Sequence, residues 1–310
     1  MKNKITLLAF LLPAIIFSQH KYFFSKCEWV VGAGATNFLG DLGGAPQIGT
    51  HGVKDWEWPA VGPVVNVGLR YKQSKYLSFK SMLSAGKISG DDKLTTEHYR
   101  SNRNLNFRSP VVEFSVQAEL NFINTGDQKL AYGIKNARTR INVQSYLFGG
   151  VGVFYFNPQG NYKRKWISLR NLSTEGQGMP GGPKKYSQFS ISFPVGAGIK
   201  FSLNQQCSIG FEAGVHYTLT DYMDDVSGNY YDNDAIRASK GDVAAYMANP
   251  ALDKYAGGLE NPSASRQTIT GEQRGNPKHN DAFIFGVINL NYKINYQAKG
   301  KIKCFNFKKK

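Results

Sequence analysis

The sequence offers little that could cross a membrane as a helix, because no apolar stretch after residue 18 is long enough. A transmembrane helix needs about 20 consecutive apolar residues. The mean hydropathy is also low, at −0.37. These two deficits exclude a helical membrane protein. A chain this polar that spans a membrane has to do so with strands, whose backbone groups pair with one another.

Cysteine is scarce as well, with 3 residues in 310, and the position of the first one bears on the N-terminal segment. Residues 1–18 carry two lysines, then an apolar run from Ile5 to Phe17 and a closing Ser18. This order is typical of a secretory signal peptide, with a retained membrane anchor as the alternative. Cys27 lies well beyond the apolar run, which argues against lipoprotein processing.

Acidic residues are outnumbered, with 22 Asp and Glu against 38 Lys and Arg and a net charge of +16. The positive charge is scattered along the chain and concentrated near its ends, with six lysines after residue 298. In a secreted chain, a basic tail fits acidic lipid headgroups or an acidic protein partner better than nucleic acid. We therefore expect contact with outer-membrane lipid and no binding of nucleic acid.

Residues 110–122 carry the strongest structural signal in the sequence. Apolar side chains occupy every second position from Val112 to Phe122, and polar side chains occupy the positions between them. Alternation with period two is typical of a strand with one apolar and one polar face. Such segments recur, and we predict eight strands, near residues 28–37, 60–72, 76–87, 107–122, 142–156, 187–203, 207–220 and 281–295.

Behind a signal peptide, these strands predict an all-β fold: an eight-stranded antiparallel transmembrane β-barrel with long extracellular loops, rather than a soluble sandwich. The alternation is complete from residue 189 to 203 and from 209 to 219. The segment near 142–156 has bulky residues on both faces, so its orientation stays open. Aromatic residues lie near strand ends, as an interface girdle would place them, although soluble sandwiches show this too; examples are Trp29, Tyr76 and Tyr217.

The connections between the predicted strands alternate in length. Residues 73–75 and 204–206 form tight turns, whereas four other connections are long: 38–59, 88–106, 157–186 and 221–280. Outer-membrane barrels have short periplasmic turns and long outer loops. We therefore expect a protein of the Gram-negative outer membrane with its termini in the periplasm. The predicted parts are a signal peptide at 1–18, the barrel at 19–296 and a basic periplasmic tail at 297–310.

One connection breaks this alternation. Residues 123–141 belong to the periplasmic side but are far longer than a tight turn, and they carry several basic residues. Together with the basic tail, they put two positive elements on one side of the membrane. They either dock a partner or are ordinary solvated loops. The candidate partner-binding residues are Lys129, Lys135, Arg138, Arg140, Lys301, Lys303, Lys308, Lys309 and Lys310.

The cysteines all fall at the predicted periplasmic end, and the periplasm is oxidising. Cys304, on the tail, lies within reach of both other cysteines in a closed barrel. We expect a disulfide of Cys304 with Cys27 or Cys207, the alternative being three unpaired thiols.

No motif of the sequence predicts catalysis, a metal or a cofactor. Glu212 and His216 share one face of a strand, but their spacing separates them by roughly 13 Å along it, too far for a direct hydrogen bond. We interpret both as polar residues filling the barrel interior. The acidic segment 221–234 lacks the spacing of a calcium loop, and Asp, Asn and Ser that cap turns explain it equally well. We predict a protein that is not an enzyme.

Several blocks of the mature chain resemble one family of small barrels. These are Gly32 to Leu42, Arg108-Ser109-Pro110, Tyr146 to Pro158, Thr220 to Gly228, Arg274-Gly275-Asn276 and Asn280-Asp281-Ala282. They are similar to the PorG family of outer-membrane barrels in the type IX secretion system. Related small barrels share parts of them. The resemblance covers nearly the whole mature chain, and it names no catalytic residue.

The resemblance implies an accessory component of protein transport. Such a barrel sits in the outer membrane and associates with the periplasmic ring of PorK- and PorN-like proteins, supporting export and, in some bacteria, gliding motility. A barrel of eight strands is too narrow to pass folded cargo, so we expect an anchor. The alternative is a small porin or a ligand-binding barrel. The chain also continues past Tyr292 and Tyr296, where assembly signals often end a barrel, and partner binding would explain the tail.

Overall fold

The computed structural model describes residues 24–42, 58–95, 98–124, 143–252 and 268–294. In this part of the chain, ten strands form one antiparallel sheet. The strands are β1 Cys27–Leu39, β2 Gly62–Lys72, β3 Leu77–Asp91, β4 Asn106–Asn124, β5 Val143–Phe156, β6 Gln159–Tyr162, β7 Lys165–Ser168, β8 Phe189–Ser202, β9 Cys207–Thr218 and β10 Ala282–Lys293. The α-helices are α1 His98–Arg103, α2 Asn233–Lys240 and α3 Asp242–Ala248. None of the described helices is long and apolar enough to cross a membrane.

Eight of the strands close into a barrel, which confirms the predicted fold class. The cyclic order is β1-β2-β3-β4-β5-β8-β9-β10, and the ring closes where β1 pairs with β10. There Trp29 lies opposite Tyr292. Every neighbouring pair is antiparallel, so no strand of the barrel has an unpaired edge.

The other two strands lie within the long connection predicted over 157–186, where the sequence had indicated no strand. β6 and β7 form a hairpin that continues the barrel wall beyond β4, where Gln159 pairs with Arg108. Each of its strands is only four residues long. A segment that short shows too little alternation to be recognised, and it is stabilised by pairing with β4, which the local sequence does not encode.

The barrel wall has an apolar outer face and a polar inner face, as the alternation predicted. Every barrel strand exposes at least one large apolar side chain on the outside; one from each strand in turn is Val31, Val65, Leu83, Phe114, Val151, Val195, Phe211 and Ile288. The side chains between them point inward and are buried, among them Glu28, Arg70, Lys80, Glu113, Glu119, Lys200 and Glu212. The inward set is strongly charged.

The structure also settles the orientation of β5, which the sequence left open. Tyr146, Phe148 and Phe154 are buried inside, whereas Leu147 and Val153 are exposed outside. The bulky inner residues fit because the facing strands carry glycine. A Cβ atom on Gly198 of β8 would lie 2.5 Å from the Tyr146 ring. Large residues on both faces are therefore matched by missing side chains on a neighbouring strand.

The two ends of the barrel differ. At the turn end, short connections join β2 to β3 and β8 to β9. At the loop end lie the long connections, which contain α1, the β6–β7 hairpin, α2 and α3. Their apolar side chains pack with the strand ends into one core; its loop members include Leu42, Leu169, Tyr186, Met223, Val226 and Met247, and its strand members Phe38, Phe107, Phe154, Phe156 and Phe283. This folded part of the loop end is termed the cap.

Candidate functional site

The barrel interior near the turn end contains a cluster of charges centred on Arg70. Its guanidinium contacts Glu119 at 2.7 Å, Glu212 at 3.1 Å and Glu28 at 3.4 Å. It also donates to Asn291 Oδ1 at 2.5 Å. One arginine from β2 thus joins carboxylates of β1, β4 and β9 across the lumen. These four residues, together with Lys80 and Lys200, are called the interior network.

Two lysines complete the interior network. Lys80 of β3 lies 2.7 Å from Glu212 and 3.2 Å from Glu119. Lys200 of β8 lies 2.9 Å from Glu28. The network therefore holds three cations, Arg70, Lys80 and Lys200, against three carboxylates, Glu28, Glu119 and Glu212. Buried charges are tolerated when they are paired and hydrogen-bonded. The side chains of these six residues are paired in this way and fill the lumen near the turn end.

A second polar pair lies nearer the loop end. His216 Nδ1 is 2.9 Å from Glu113 Oε1, and Ser192 Oγ donates to the same oxygen at 2.5 Å. The imidazole stacks on Phe283 at 4.7 Å and contacts Phe285 at 4.6 Å between ring centroids. The serine and the histidine share one carboxylate oxygen, so this arrangement does not form a serine-to-histidine proton relay.

These contacts agree with the interpretation of Glu212 and His216 as polar filling. Glu212 bonds to Tyr146 at 2.5 Å and to the interior network, whereas His216 bonds to Glu113. The two residues therefore belong to separate clusters. The sequence alone did not reveal the partners of either residue. The only signal that could have found them is the recurrence of charged residues on inward positions of different strands.

The cap is joined by two buried arginines. Arg103 forms a bidentate pair with Asp92, with distances of 2.8 and 2.9 Å. It also donates to the backbone oxygens of Arg274 at 2.6 Å and Asp41 at 2.8 Å. Burial lowers the pKa of Arg103, but the charge of the Asp92 carboxylate and its hydrogen bonds outweigh burial and raise that pKa above the ordinary value, so Arg103 stays charged. Three connections, β1–β2, β3–β4 and β9–β10, therefore meet at one side chain.

Arg274 is the second organising residue of the cap. It lies 2.8 Å from Glu175 Oε1 and donates to the backbone oxygen of Asp225 at 2.7 Å. Glu175 in turn accepts from the backbone N–H groups of Ser227 and Gly228. The β7–β8 and β9–β10 connections are thus held together by a charge-assisted network. The described parts of these connections pack together over the loop end of the barrel.

The cap also buries several aspartates. Burial raises the pKa of Asp221 to about 8 and that of Asp225 to about 6. Burial and neighbouring carboxylates raise the pKa of Asp224 and Asp281 well above the ordinary value. Asp224 accepts from the backbone N–H groups of Leu42 and Val226, both at 2.9 Å. Among the described residues, no group of three or more His, Cys, Asp or Glu side chains could hold a metal ion.

The capping interpretation of the acidic segment describes this geometry, with one addition. Asp232 caps α2 by accepting from the backbone N–H groups of Asp234 and Ala235. Asp281 accepts from Met223 N at 2.8 Å. Several of these aspartates are fully buried rather than solvated, because the segment lies beneath the other connections. Burial of this kind depends on how the loops pack and is not visible in the segment itself.

The predicted partner-binding residues lie outside the described residues. Lys129, Lys135, Arg138 and Arg140 fall in 125–142, and Lys301, Lys303 and Lys308 to Lys310 fall beyond residue 294. The strands to which these segments attach end at the turn end, at Asn124 of β4 and Lys293 of β10.

Two of the three cysteines are described, and both lie at the turn end. Cys27 begins β1 and Cys207 begins β9, on either side of β10. Cys304 lies outside the described residues, so its pairing with Cys27 or Cys207 stays a prediction.

The fold and its interior define a class: a closed eight-stranded antiparallel barrel with an apolar outer wall and a filled lumen. Residues 6–243 match the family model DUF6089, described as a domain of unknown function, and the chain belongs to this family. Comparison with curated proteins gives no match.

Solved barrels show a low overall likeness to the chain. Neisserial surface protein A has 9% identity and a TM-score of 0.36, covering 86% of this chain and 96% of that protein. Ail of Yersinia pestis, solved in complex with the heparin analogue sucrose octasulfate, has 9% identity, a TM-score of 0.32 and the same coverage. A major outer membrane protein of Thermus thermophilus has 11% identity, a TM-score of 0.33 and coverage of 86% and 98%.

Proposed function

We propose that this protein is a non-catalytic outer-membrane anchor, an accessory component of the type IX protein secretion system that associates with its periplasmic ring. The observation that carries the anchoring role is a closed barrel whose lumen is occupied by the interior network and the cap core. A barrel filled in this way is suited to holding a position in the membrane. The secretion system itself is inferred from the resemblance to the PorG family.

The outer wall supports the membrane placement. Exposed apolar side chains on all eight barrel strands would face lipid, as in outer-membrane barrels. Near the turn end, Trp29 is 45% exposed and Tyr76 is 65% exposed; near the loop end, Tyr217 is 53% exposed. Aromatic residues at both margins of an apolar band are the expected interface girdles. In a water-soluble protein this apolar surface would be exposed to water, which soluble proteins rarely allow over so large an area.

The attachment of the basic segments supports a partner on one side. The connection 125–142 and the tail after residue 294 both follow strands that end at the turn end. In the proposed orientation this end faces the periplasm. The cap then faces the exterior. The nine predicted basic residues would meet acidic surface of the ring, or acidic lipid headgroups beside it.

The secretion role is tested by comparing the secreted proteins of a strain lacking this chain with those of the parent and of a complemented strain. We expect cargo proteins to disappear from the medium and to accumulate in the periplasm. Normal secretion would refute the secretion role and leave the barrel fold as it is.

Ring association is tested by replacing the basic residues of 125–142 and of the tail with glutamine in the full chain. We expect weaker copurification of the ring proteins with unchanged membrane insertion. The matched control replaces Lys184 and Lys185, two exposed lysines of the loop end, with glutamine. Equal copurification of the ring proteins with all variants would mean that these basic residues do not contact the ring.

The porin alternative predicts solute flux, and the filled lumen counts against it. Arg70, Lys80 and Tyr146 cross the interior near the turn end, and Phe154 and Phe283 fill it near the loop end. We expect no swelling of liposomes that contain the purified protein. Flux of small sugars would overturn the anchor and favour the porin.

A further inference from the structure

An open groove lies on the outer wall at the loop end, apart from the lumen. It has a volume of about 640 Å³ and lies between β3, β4 and the β6–β7 hairpin. The strand residues on its floor include Ser89 and Asn106, and the hairpin contributes Asn161 and Trp166 to one side. None of the interactions described above for the lumen or the two cap arginines uses this surface.

The charge in the groove is strongly positive. Five cations line it, Lys87, Lys93, Arg108, Lys163 and Arg164, and Asp91 is the single acidic residue among the lining residues described. Within the described part of the chain, none of these five cations forms an ion pair with a carboxylate. By contrast, the buried cations of the lumen are each paired with Glu. Unpaired cations gathered in one concave surface attract an anionic ligand.

The position of one of these cations, Arg108, is fixed by the protein. Arg108 donates to Gln159 at 3.0 Å, and its guanidinium lies 4.3 Å from the centre of the Trp166 ring. Stacking on an aromatic ring holds the planar group and leaves its remaining N–H groups available. Trp166 remains 38% exposed, so an aromatic surface borders the cation.

The hairpin turn adds two more cations in an unusual conformation. Tyr162 pairs with Lys165, so Lys163 and Arg164 form a two-residue turn. Their φ angles are +49° and +67°. Two positive φ angles define a type I′ turn, for which Asn-Gly is the favoured pair. The chain instead places Lys and Arg there, against the conformational preference of both residues, and both side chains are exposed at the groove.

The groove begins where the apolar wall ends. Along the outer face of β3, Leu83 and Ala85 are followed by Lys87, and Lys87 lies opposite Pro110 of β4. Below that pair, Leu83 lies opposite Phe114, which is 55% exposed. In a membrane-spanning barrel, acyl chains would cover Leu83 and Phe114, and the phosphates of the same lipid would lie at the height of Lys87 and the groove.

We propose that this groove binds the phosphate groups of a membrane glycolipid whose acyl chains cover the apolar wall below it. The ligand is a phosphorylated saccharide headgroup: cations contact the phosphates, and Trp166 packs against a sugar ring. The inference rests on the membrane placement in the proposed function and is independent of the secretion role.

The test uses the full chain in nanodiscs of phosphatidylcholine that contain increasing fractions of diphosphoryl lipid A, with bound lipid counted by native mass spectrometry. The variant K163N/R164G removes two cations and installs the pair that a type I′ turn prefers, so the hairpin is retained. A charge near a membrane surface is worth roughly 1 kcal/mol, so we expect binding of lipid A about tenfold to thirtyfold weaker. The matched control K184Q/K185Q removes two exposed charges elsewhere at the loop end.

Three outcomes would overturn the proposal. The first is that K163N/R164G and K184Q/K185Q weaken the binding of lipid A equally. The second is that dephosphorylated lipid A binds as tightly as the phosphorylated form. The third is that a water-soluble glucosamine bisphosphate binds as tightly as lipid A. The first would mean a response to net charge alone, the second a role of the acyl chains alone, and the third a soluble ligand. Insertion is measured on the same samples by heat-modifiable gel mobility, and its failure would instead refute the membrane placement.

Discussion

Replacing Arg70 with methionine is expected to destabilise the barrel by about 3–5 kcal/mol, the range seen when one partner of a buried ion pair is removed. Arg70 contacts three carboxylates, at 2.7, 3.1 and 3.4 Å, and its side chain is 2% exposed. Without it, two lysines face three carboxylates. One negative charge then remains unpaired in the lumen, out of reach of solvent.

The measurement is the urea concentration at which the protein, folded in detergent micelles, loses its heat-modifiable gel mobility and its native tryptophan fluorescence. The control is Arg237→Met on α2. Arg237 pairs with Asp234 at 2.7 Å and Asp242 at 3.2 Å, but these side chains are 44, 88 and 87% exposed. An exposed pair contributes about 0–1 kcal/mol, so the control should change stability little.

A second variant separates lost charge balance from lost packing. In Arg70→Met combined with Glu119→Gln, two lysines again face two carboxylates, and we expect part of the lost stability to return. The double variant should therefore be destabilised by less than the sum of the two single variants, as for residues of one network. If Arg70→Met were as mild as Arg237→Met, or if Glu119→Gln made the double variant worse by its full single effect, the balanced network would not stabilise the lumen.

Two further predictions concern the cap and the wall. The pKa of Asp221 is about 8 in the folded protein against 3.8 ordinarily. Between these two values the folded protein keeps the proton on Asp221 and the unfolded chain releases it. The stability that this group contributes is therefore complete below about pH 4 and is lost as the pH rises towards 8. Hydrogen exchange in the cap, corrected for intrinsic rates, should therefore be slower at pH 5 than at pH 8, and Asp221→Asn should reduce this difference; an unchanged difference would contradict the assignment to Asp221. Gly198→Ala would put a Cβ atom 2.5 Å from the Tyr146 ring, and we expect this overpacking to lower the free energy of unfolding by about 1–3 kcal/mol. Stability in urea is compared with that of Gly149→Ala, whose Cβ meets no atom within 4 Å. Equal stability of the two variants would refute the overpacking of Gly198 against Tyr146.

The sequence by itself determined the strands and the facing of most of them. Period-two alternation puts all side chains of one parity on one face, so the residues from Val112 to Phe122 could be assigned to the outer face or to the lumen from the sequence alone. The sequence also determined which end of the barrel carries tight turns and which carries long loops, because the number of residues between successive strands can be read directly from it.

Tertiary structure decided everything that joins distant parts of the chain. Arg70 and Glu212 meet across the lumen although they are 142 positions apart, and the Leu42 N–H reaches Asp224 over 182 positions. No local pattern records such a pairing, because it depends on the register in which eight strands close. The hairpin that carries Lys163 and Arg164 likewise forms where β4 extends past the end of β5 and pairs with β6. Alternation encodes which face a residue occupies, whereas closure of the barrel decides which residues it meets there.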